Sequence, residues 1–288
     1  MNKLGNTEIR QLLSNNYQTI LLIAARICML GMFIDDGIRV GLQWKDQHRY
    51  ISVYWANLPT WRPADALITF GILGQIIPCI LILFIRRIVI PSCIFLIFMV
   101  IYHTILYGLH FDLHFLSVNI AIIGGLLLLI AESLNNNKQK QPTIGAGIIQ
   151  LQFQKDSKPK TFIMLAGRVF LPLMFISLLR WDSNNHLKMI DYSSLFCTKQ
   201  IELFIASLLM FLVITGFKAR QASLLLALWL LFINFNLNAW WKLPKESPYK
   251  EFAKFDFFQT FSVIGGLLLI FVHGPGNYSI DALTKKDT

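Results

Sequence analysis

Long apolar runs separated by short polar breaks dominate the chain. Runs of about 17–25 apolar residues are long enough to cross the hydrocarbon of a bilayer as helices. The first extends from about Thr19 to Ile34 and stops at Asp35-Asp36-Gly37. The second covers roughly Leu67–Ile85 and is closed by Arg86-Arg87. The third covers Val89–Leu109, with Pro91 in its first turn, where a missing N–H does no harm. The fourth, Phe115–Ala131, is closed by Glu132. The fifth, Phe162–Leu179, carries Pro172 as an expected kink. The sixth, seventh and eighth follow at Ile201–Phe217, Ala222–Trp240 and Phe257–His273. The pattern predicts an all-α, polytopic membrane bundle of about eight spans.

The runs fall into two halves. Phe111–Leu129 and Asp256–Ile270 share an Asp, aromatics and a Gly-Gly-Leu-Leu-Leu block in the same order. Ala25-Arg26-Ile27 matches Gly167-Arg168-Val169, and the basic turn Arg86-Arg87 matches Lys218 and Arg220. Four spans per half is an even number, so both halves enter the membrane in the same direction, as parallel repeats. The expected division is residues 1–18 as an N-terminal tail, 19–132 as the first four-helix repeat and 133–160 as a polar linker rich in Asn, Gln and Lys. Residues 161–273 form the second repeat and 274–288 a C-terminal tail.

Composition agrees with the pattern. Of 288 residues, 55% are apolar and 15% are charged, against about 25% charged in a soluble domain. The net charge of +10 would raise nucleic-acid binding in a soluble protein. Here it fits basic helix ends beside anionic lipid on the cytosolic side, with no nucleic-acid partner. The two tight turns, Arg86-Arg87 and Lys218/Arg220, contain no acid. Short loops are where the positive-inside rule applies best, so both termini and the linker are expected in the cytosol. The sequon Asn277-Tyr278-Ser279 then lies on the cytosolic side, and a glycan on Asn277 would overturn this orientation. The polar first 18 residues show no cleavable signal peptide.

Several polar residues interrupt the apolar runs. Arg26 and Arg168 lie inside spans, about two turns from the cytosolic end; such charges either snorkel to the interface or serve a shared function. Asp35, Asp36 and Arg39 sit at the lumenal end of the first span, with Asp35 and Arg39 spaced to pair on a helix face. Asp112 and Asp256 open the two echo helices from the same side, where acids also suit the helix dipole. With Trp44 and Trp241 they are candidates for a lumen-facing site. Asn234 and Asn238, one turn apart, suit interhelical hydrogen bonding, and Gln75 is a further intramembrane polar group. His103, His110 and His114 cluster near one end, but a turn between helices spoils metal-ligand geometry. The four cysteines, Cys28, Cys79, Cys93 and Cys197, show no disulfide or metal spacing. No P-loop, nucleophile elbow, zinc-protease or dinucleotide motif is present, so neither an enzymatic centre nor a cofactor is expected. Lys285-Lys286-Asp287-Thr288 places lysines third and fourth from the end, the di-lysine retrieval pattern read by a cytosolic coat.

With these residues in hand, the chain resembles the Surf4/Erv29 family of endoplasmic reticulum (ER) cargo receptors. The resemblance is carried by Phe33-Ile-Asp-Asp-Gly-Ile-Arg39 with Gln43-Trp44, Leu73-Gly-Gln75, Gly124-Gly-Leu-Leu-Leu-Leu-Ile-Ala-Glu-Ser133 and Gly167-Arg-Val169. Gly216-Phe-Lys218, Asn238-Ala-Trp240, Phe255-Asp-Phe-Phe-Gln-Thr260, Ser262-Val-Ile-Gly-Gly-Leu-Leu-Leu269 and Gly274-Pro-Gly276 complete it. The four-helix repeat is also similar to the DoxX group of bacterial membrane proteins. The first resemblance implies a receptor that binds soluble secretory proteins in the lumen and is packed with them into coat-protein-II (COPII) vesicles. It would cycle through the intermediate compartment (ERGIC) and Golgi and return through coat protein I (COPI). Short N-terminal segments of cargo would meet Asp35, Asp36, Asp112 or Asp256 beside Trp44 or Trp241. A second copy of the chain is a further candidate partner. The rival reading is a small-molecule transporter or membrane redox subunit using Arg26, Gln75, Arg168 and Asn234 as midplane polar groups.

Overall fold

The computed structural model describes residues 2–55, 64–108, 113–139, 158–173, 194–244, 249–276 and 278–284. Asp112, His110, Asn277, Cys197's side chain and the pair Lys285 and Lys286 lie outside what is described, as does most of the expected linker. The described chain is helical: α1 Asn2–Leu42, α2 Trp44–Tyr54, α3 Ala64–Phe84, α4 Val89–Leu106, α5 Leu113–Gln139, α6 Lys158–Phe170, α7 Ser194–Thr215, α8 Ala219–Leu237, α9 Tyr249–His273 and the short α10 Ile280–Thr284. Single 3₁₀ turns sit at Arg86–Ile88 and Trp240–Lys242. Lipid offers no partner for a backbone N–H or C=O, so a spanning segment must satisfy every such group internally, and the helix does this.

Among the described residues, six helical segments are long and apolar enough to cross a membrane: Tyr17–Leu42, Ala64–Phe84, Arg86–Leu106, Phe115–Leu134, Ala219–Lys242 and Lys250–His273. Phe204–Thr215 is a shorter apolar helix. The chain is therefore a multi-pass membrane protein, with six candidate spans among the described residues. The expected fifth span is represented by α6, which ends at Phe170, two residues before Pro172. A proline cannot continue the hydrogen-bond ladder, and the helix is interrupted by a turn at Leu171 and Pro172 before Leu173 is helical again. Residues 174–179 of that span lie outside the described residues.

Two helix boundaries differ from expectation for one reason. Helix α1 does not stop at Asp35-Asp36-Gly37 but continues to Leu42. Helix α9 starts at Tyr249, so Asp256 lies in its second turn rather than opening it. In both places charged side chains find partners inside the bundle, and the helix runs on through them. Residues 2–16, read as a polar tail, are also helical, and α5 passes Glu132 to reach Gln139.

Helices α5 and α9 are the most enclosed; α1, α3, α4 and α8 keep large apolar side chains such as Ile80, Phe98 and Phe232 facing outward. Helix α1 packs chiefly on α9, α5 on α6 and α9, and α8 on α7 and α9. Small residues make these contacts close. A Cβ added to Gly265 would sit 2.6 Å from the Ala25 carbonyl oxygen and 2.7 Å from the Met29 nitrogen. On the other side of the bundle, one added to Gly124 would sit 3.0 Å from the Gly167 carbonyl oxygen and 3.1 Å from the Leu171 nitrogen. Without a hydrophobic drive between helices in lipid, such backbone-to-backbone packing supplies the association energy. A second, smaller core of Val40, Ile51, Ala64, Ile68 and Leu106 pins α2 to the end of the bundle where α1 finishes.

Candidate functional site

Polar side chains gather at that same end. Helix α1 turns about 100° per residue, so Asp35 and Asp36 leave it in different directions. Asp35 faces α9 and its Oδ1 lies 2.7 Å from Lys254 Nζ. Asp36 faces α3 and α4. Its Oδ1 takes a hydrogen bond from Arg39 Nη2, one turn on, and its Oδ2 takes one from Gln75 Nε2 at 2.8 Å. Gln75 Nε2 also donates to His103 Nδ1 at 2.7 Å, which makes that nitrogen an acceptor and leaves the ring proton on Nε2. The Arg39 guanidinium lies 5.1 Å over the Phe255 ring, and Lys254 Nζ is 6.0 Å from the centroids of Trp240 and Phe258. Gln43 reaches Glu251 at 3.3 Å at the rim.

The expected Asp35–Arg39 pair is thus not the one formed. Arg39 pairs with Asp36, three residues back, and Asp35 is taken by Lys254 from α9. Three buried polar atoms here, Asp35 Oδ2, Arg39 Nε and Gln75 Oε1, have no hydrogen-bond partner within the protein. Buried polar atoms are almost always satisfied, so three together mark a region not optimised for packing alone. Chemically, the cluster holds carboxylates and cations in balance between aromatic faces.

The other candidate residues divide. Asp112 lies outside the described residues. Asp256 is half-buried on α9. Trp44 is half-buried against the small end core and Trp241 is 45% exposed, packed on Phe235 and Phe257 with centroids 5.7 Å apart in each case. Asn234 is fully buried and donates to the Phe257 carbonyl at 3.0 Å; Asn238 donates to Asn234 Oδ1 at 2.8 Å. Asn234 ties α8 to α9, and Asn238 at the end of α8 holds the Asn234 amide in place.

At the opposite end, Arg26 donates from Nε and Nη2 to the two Glu132 oxygens at 3.1 and 2.5 Å, a buried bidentate pair joining α1 to α5. A cavity of about 60 Å³ lies beside it, lined in part by Glu132, Lys160, Met164 and His273. It has room for a few waters and not for a larger ligand. Arg168 is 1% exposed and donates through Nη2 to the Tyr278 carbonyl. The two arginines therefore do not snorkel; each has a partner within the protein.

Sequence reasoning missed Lys254 as the partner of Asp35, and Glu132 as that of Arg26. The signal was present in opposite charges on apolar helices that each approach the same membrane face. His103 stood out only as part of a histidine cluster, and the structure joins it to Gln75 instead. Among the described residues no group of three or more His, Cys, Asp or Glu is placed to hold a metal ion.

The model of the SURF4 family matches residues 5–287. A Surfeit locus protein 4 homolog of Drosophila melanogaster is 35% identical over 269 residues, covering 93% of this chain and 92% of that protein. A Surfeit locus protein 4 homolog of Schizosaccharomyces pombe is 28% identical, covering 91% of this chain and 81% of its own length. The ER-derived vesicles protein ERV29 of Saccharomyces cerevisiae is 29% identical, covering 91% of this chain and 76% of its own length. No solved structure matches. From the family match along nearly the whole chain and the extent of the fly relative, the protein belongs to the SURF4 family.

Proposed function

We propose that the protein is an ER cargo receptor. It binds soluble secretory proteins in the lumen, enters COPII vesicles with them, and is returned from the ERGIC and Golgi by COPI reading Lys285 and Lys286. Family membership supports a role in ER cargo handling and vesicle traffic. The name of the yeast relative, an ER-derived vesicles protein, points to the same compartment. The physical logic is that a soluble lumenal protein cannot touch a cytosolic coat, so a spanning protein must couple the two.

The observation that carries the reading is the ionic cluster of Asp35, Asp36, Arg39, Gln75 and Lys254, at the opposite end of the bundle from the C-terminal tail. With both termini cytosolic, that end faces the lumen. A cationic cargo segment competes with Lys254 for Asp35, beside the aromatic faces of Trp240 and Phe258. Asp256, Trp44 and Trp241 border the same end as further contacts, and Asp112 is proposed as another. The architecture we propose is eight spans in two parallel four-helix repeats, of residues 19–132 and 161–273, joined by the linker 133–160. Its support is the matched packing of Gly265 on Ala25–Met29 and of Gly124 on Gly167–Leu171, at the positions that repeat in the sequence. Against the rival transporter reading stand Arg26 and Asn234, which are paired inside the protein, while Gln75 Oε1 and two nitrogens of Arg168 keep no hydrogen-bond partner.

The test is the charge-balanced double substitution Asp35→Asn with Lys254→Gln, which removes the ion pair without leaving a buried charge alone. In cells dependent on the variant, soluble secretory proteins should accumulate in the ER while the receptor itself remains stable. Normal secretion at normal receptor levels would refute the assignment.

A further inference from the structure

Arg168 is left incomplete at the end of the bundle away from Asp35. It comes from α6, is 1% exposed, and uses Nη2 alone, which donates to the Tyr278 carbonyl. Nε and Nη1 are buried with no hydrogen-bond partner among the described residues. Idle donors on a buried cation cost the desolvation of each group. The guanidinium lies against the turn between α7 and α8: a Cβ added to Gly216 there would strike both Arg168 Nη1 and Ser279. This turn opens α8, and a helix start presents N–H groups with no partner in the helix, at the positive end of its dipole. Two of them converge on one carboxylate. Asp281 Oδ1 accepts from the Lys218 N–H at 2.8 Å and Oδ2 from the Ala219 N–H at 3.2 Å. Lys218 adopts left-handed backbone here, φ +45°, which a lysine rarely takes. The carboxylate comes from the short segment 278–282, whose Asp281 N–H meets the Gly216 carbonyl at 3.4 Å and whose Ala282 N–H meets Ser279 Oγ at 3.2 Å. Arg168, Lys218 and Arg220 bring three positive charges to this turn, and Asp281 brings one negative charge.

We propose that the α7–α8 turn is a phosphate site and that Asp281 is its built-in occupant. Converging N–H groups at a helix start are a ready cradle for phosphate. A phosphate in place of the carboxylate keeps the Lys218 and Ala219 N–H groups satisfied. Its additional oxygens and charge serve Arg168 Nε and Nη1, which the carboxylate leaves idle, and a guanidinium favours such an acceptor. Asp281 and the phosphate exclude each other, so occupancy lifts residues 278–282 from the turn. The membrane supplies a source. The apolar helices Phe204–Thr215 and Ala219–Lys242 meet at this turn, and Phe217 within it is 43% exposed. That places the turn at the depth of lipid headgroups, where a phosphomonoester headgroup offers its free oxygens. Free phosphate has the same chemistry and is the other source. The site is independent of the cargo reading.

The test uses the full chain in nanodiscs and follows amide hydrogen exchange. The discs hold phosphatidylcholine alone, with phosphatidic acid, or with phosphatidylserine; a fourth sample adds inorganic phosphate to phosphatidylcholine discs. With phosphatidic acid, exchange at Asp281 and Ala282 should rise about tenfold as their segment opens, while Lys218 and Ala219 stay protected by the new acceptor. Faster exchange at all four residues would mean simple fraying and would overturn the site, as would no change at any of them. An equal response to phosphatidylserine would reduce the effect to charge attraction and overturn it too. A response to phosphatidic acid alone assigns the site to the headgroup, and a response to inorganic phosphate as well extends it to the free ion; both uphold it. Asp281→Asn keeps a capping oxygen but loses the competing charge, so the phosphatidic acid content giving half the response should fall about fivefold. An unchanged requirement would overturn the role of Asp281 as occupant. Arg168→Gln should raise the requirement about tenfold. If that variant does not fold, Asp281→Asn, which leaves Arg168 in place, decides the matter.

Discussion

Arg26 and Glu132 set the terms at the residue scale. Their side chains are 11% and 1% exposed, and the pair is bidentate. Removing one partner leaves the other charged and buried, which costs on the order of 3–5 kcal/mol, whereas replacing both with apolar residues is close to neutral. Glu132→Leu should therefore lower the thermal unfolding midpoint of the purified protein strongly. Arg26→Leu with Glu132→Leu should recover most of the loss. Equal losses in the single and double variants would show that the pair is not the stabilising unit. The same principle explains how far the site could be read from the sequence. Whereas the buried Asn119 and Gln259 were not singled out, Asp35, Asp36, Arg39 and Gln75 stood out as polar residues in or beside apolar runs and do fall together. Their partners were not visible: Lys254 is 219 positions from Asp35 in the chain. Local spacing favoured Asp35 with Arg39, and only the packing of α9 on α1 replaces that pair.

At the element scale, apolar length located the helices and polar punctuation misplaced their ends. A charge was read as a stop because lipid rejects it. Inside a bundle a paired charge is tolerated, so α1 and α9 extend past theirs. What fixes the helices against one another is the small residues. Gly265 meets the α1 backbone at Ala25 and Met29, where nothing flexible can yield, while Gly31 has only the Phe258 ring at 3.7 Å and Phe261 at 4.0 Å. Gly265→Ala should thus destabilise by about 1–3 kcal/mol through overpacking. Gly31→Ala should be neutral or stabilising by up to about 1 kcal/mol, since alanine is the better helix former. Thermal unfolding in one detergent compares the two directly, and equal effects would contradict the close crossing of α9 and α1.

For the whole molecule, the bundle has two chemically different ends. One holds the Asp35–Lys254 and Asp36–Arg39–Gln75–His103 cluster with its unpartnered atoms. The other holds the basic turns, the Arg26–Glu132 pair and Arg168, two of whose buried nitrogens also lack a hydrogen-bond partner, with Asp281 capping the start of α8. An ionic cluster at one end and the proposed retrieval lysines at the other are what the proposed coupling of lumenal cargo to cytosolic coats needs. The multi-pass character was legible from composition and run length alone. The family was legible from blocks spread over the chain's length. The most direct measurement is vesicle formation from ER membranes that either contain or lack this protein, with the soluble lumenal content of the vesicles identified by mass spectrometry. The account predicts that a set of soluble secretory proteins enters vesicles when the wild-type protein is present and stays behind when it is absent or carries Asp35→Asn with Lys254→Gln, while membrane-spanning cargo is packaged in every case. Equal packaging of soluble proteins with and without the protein would contradict it.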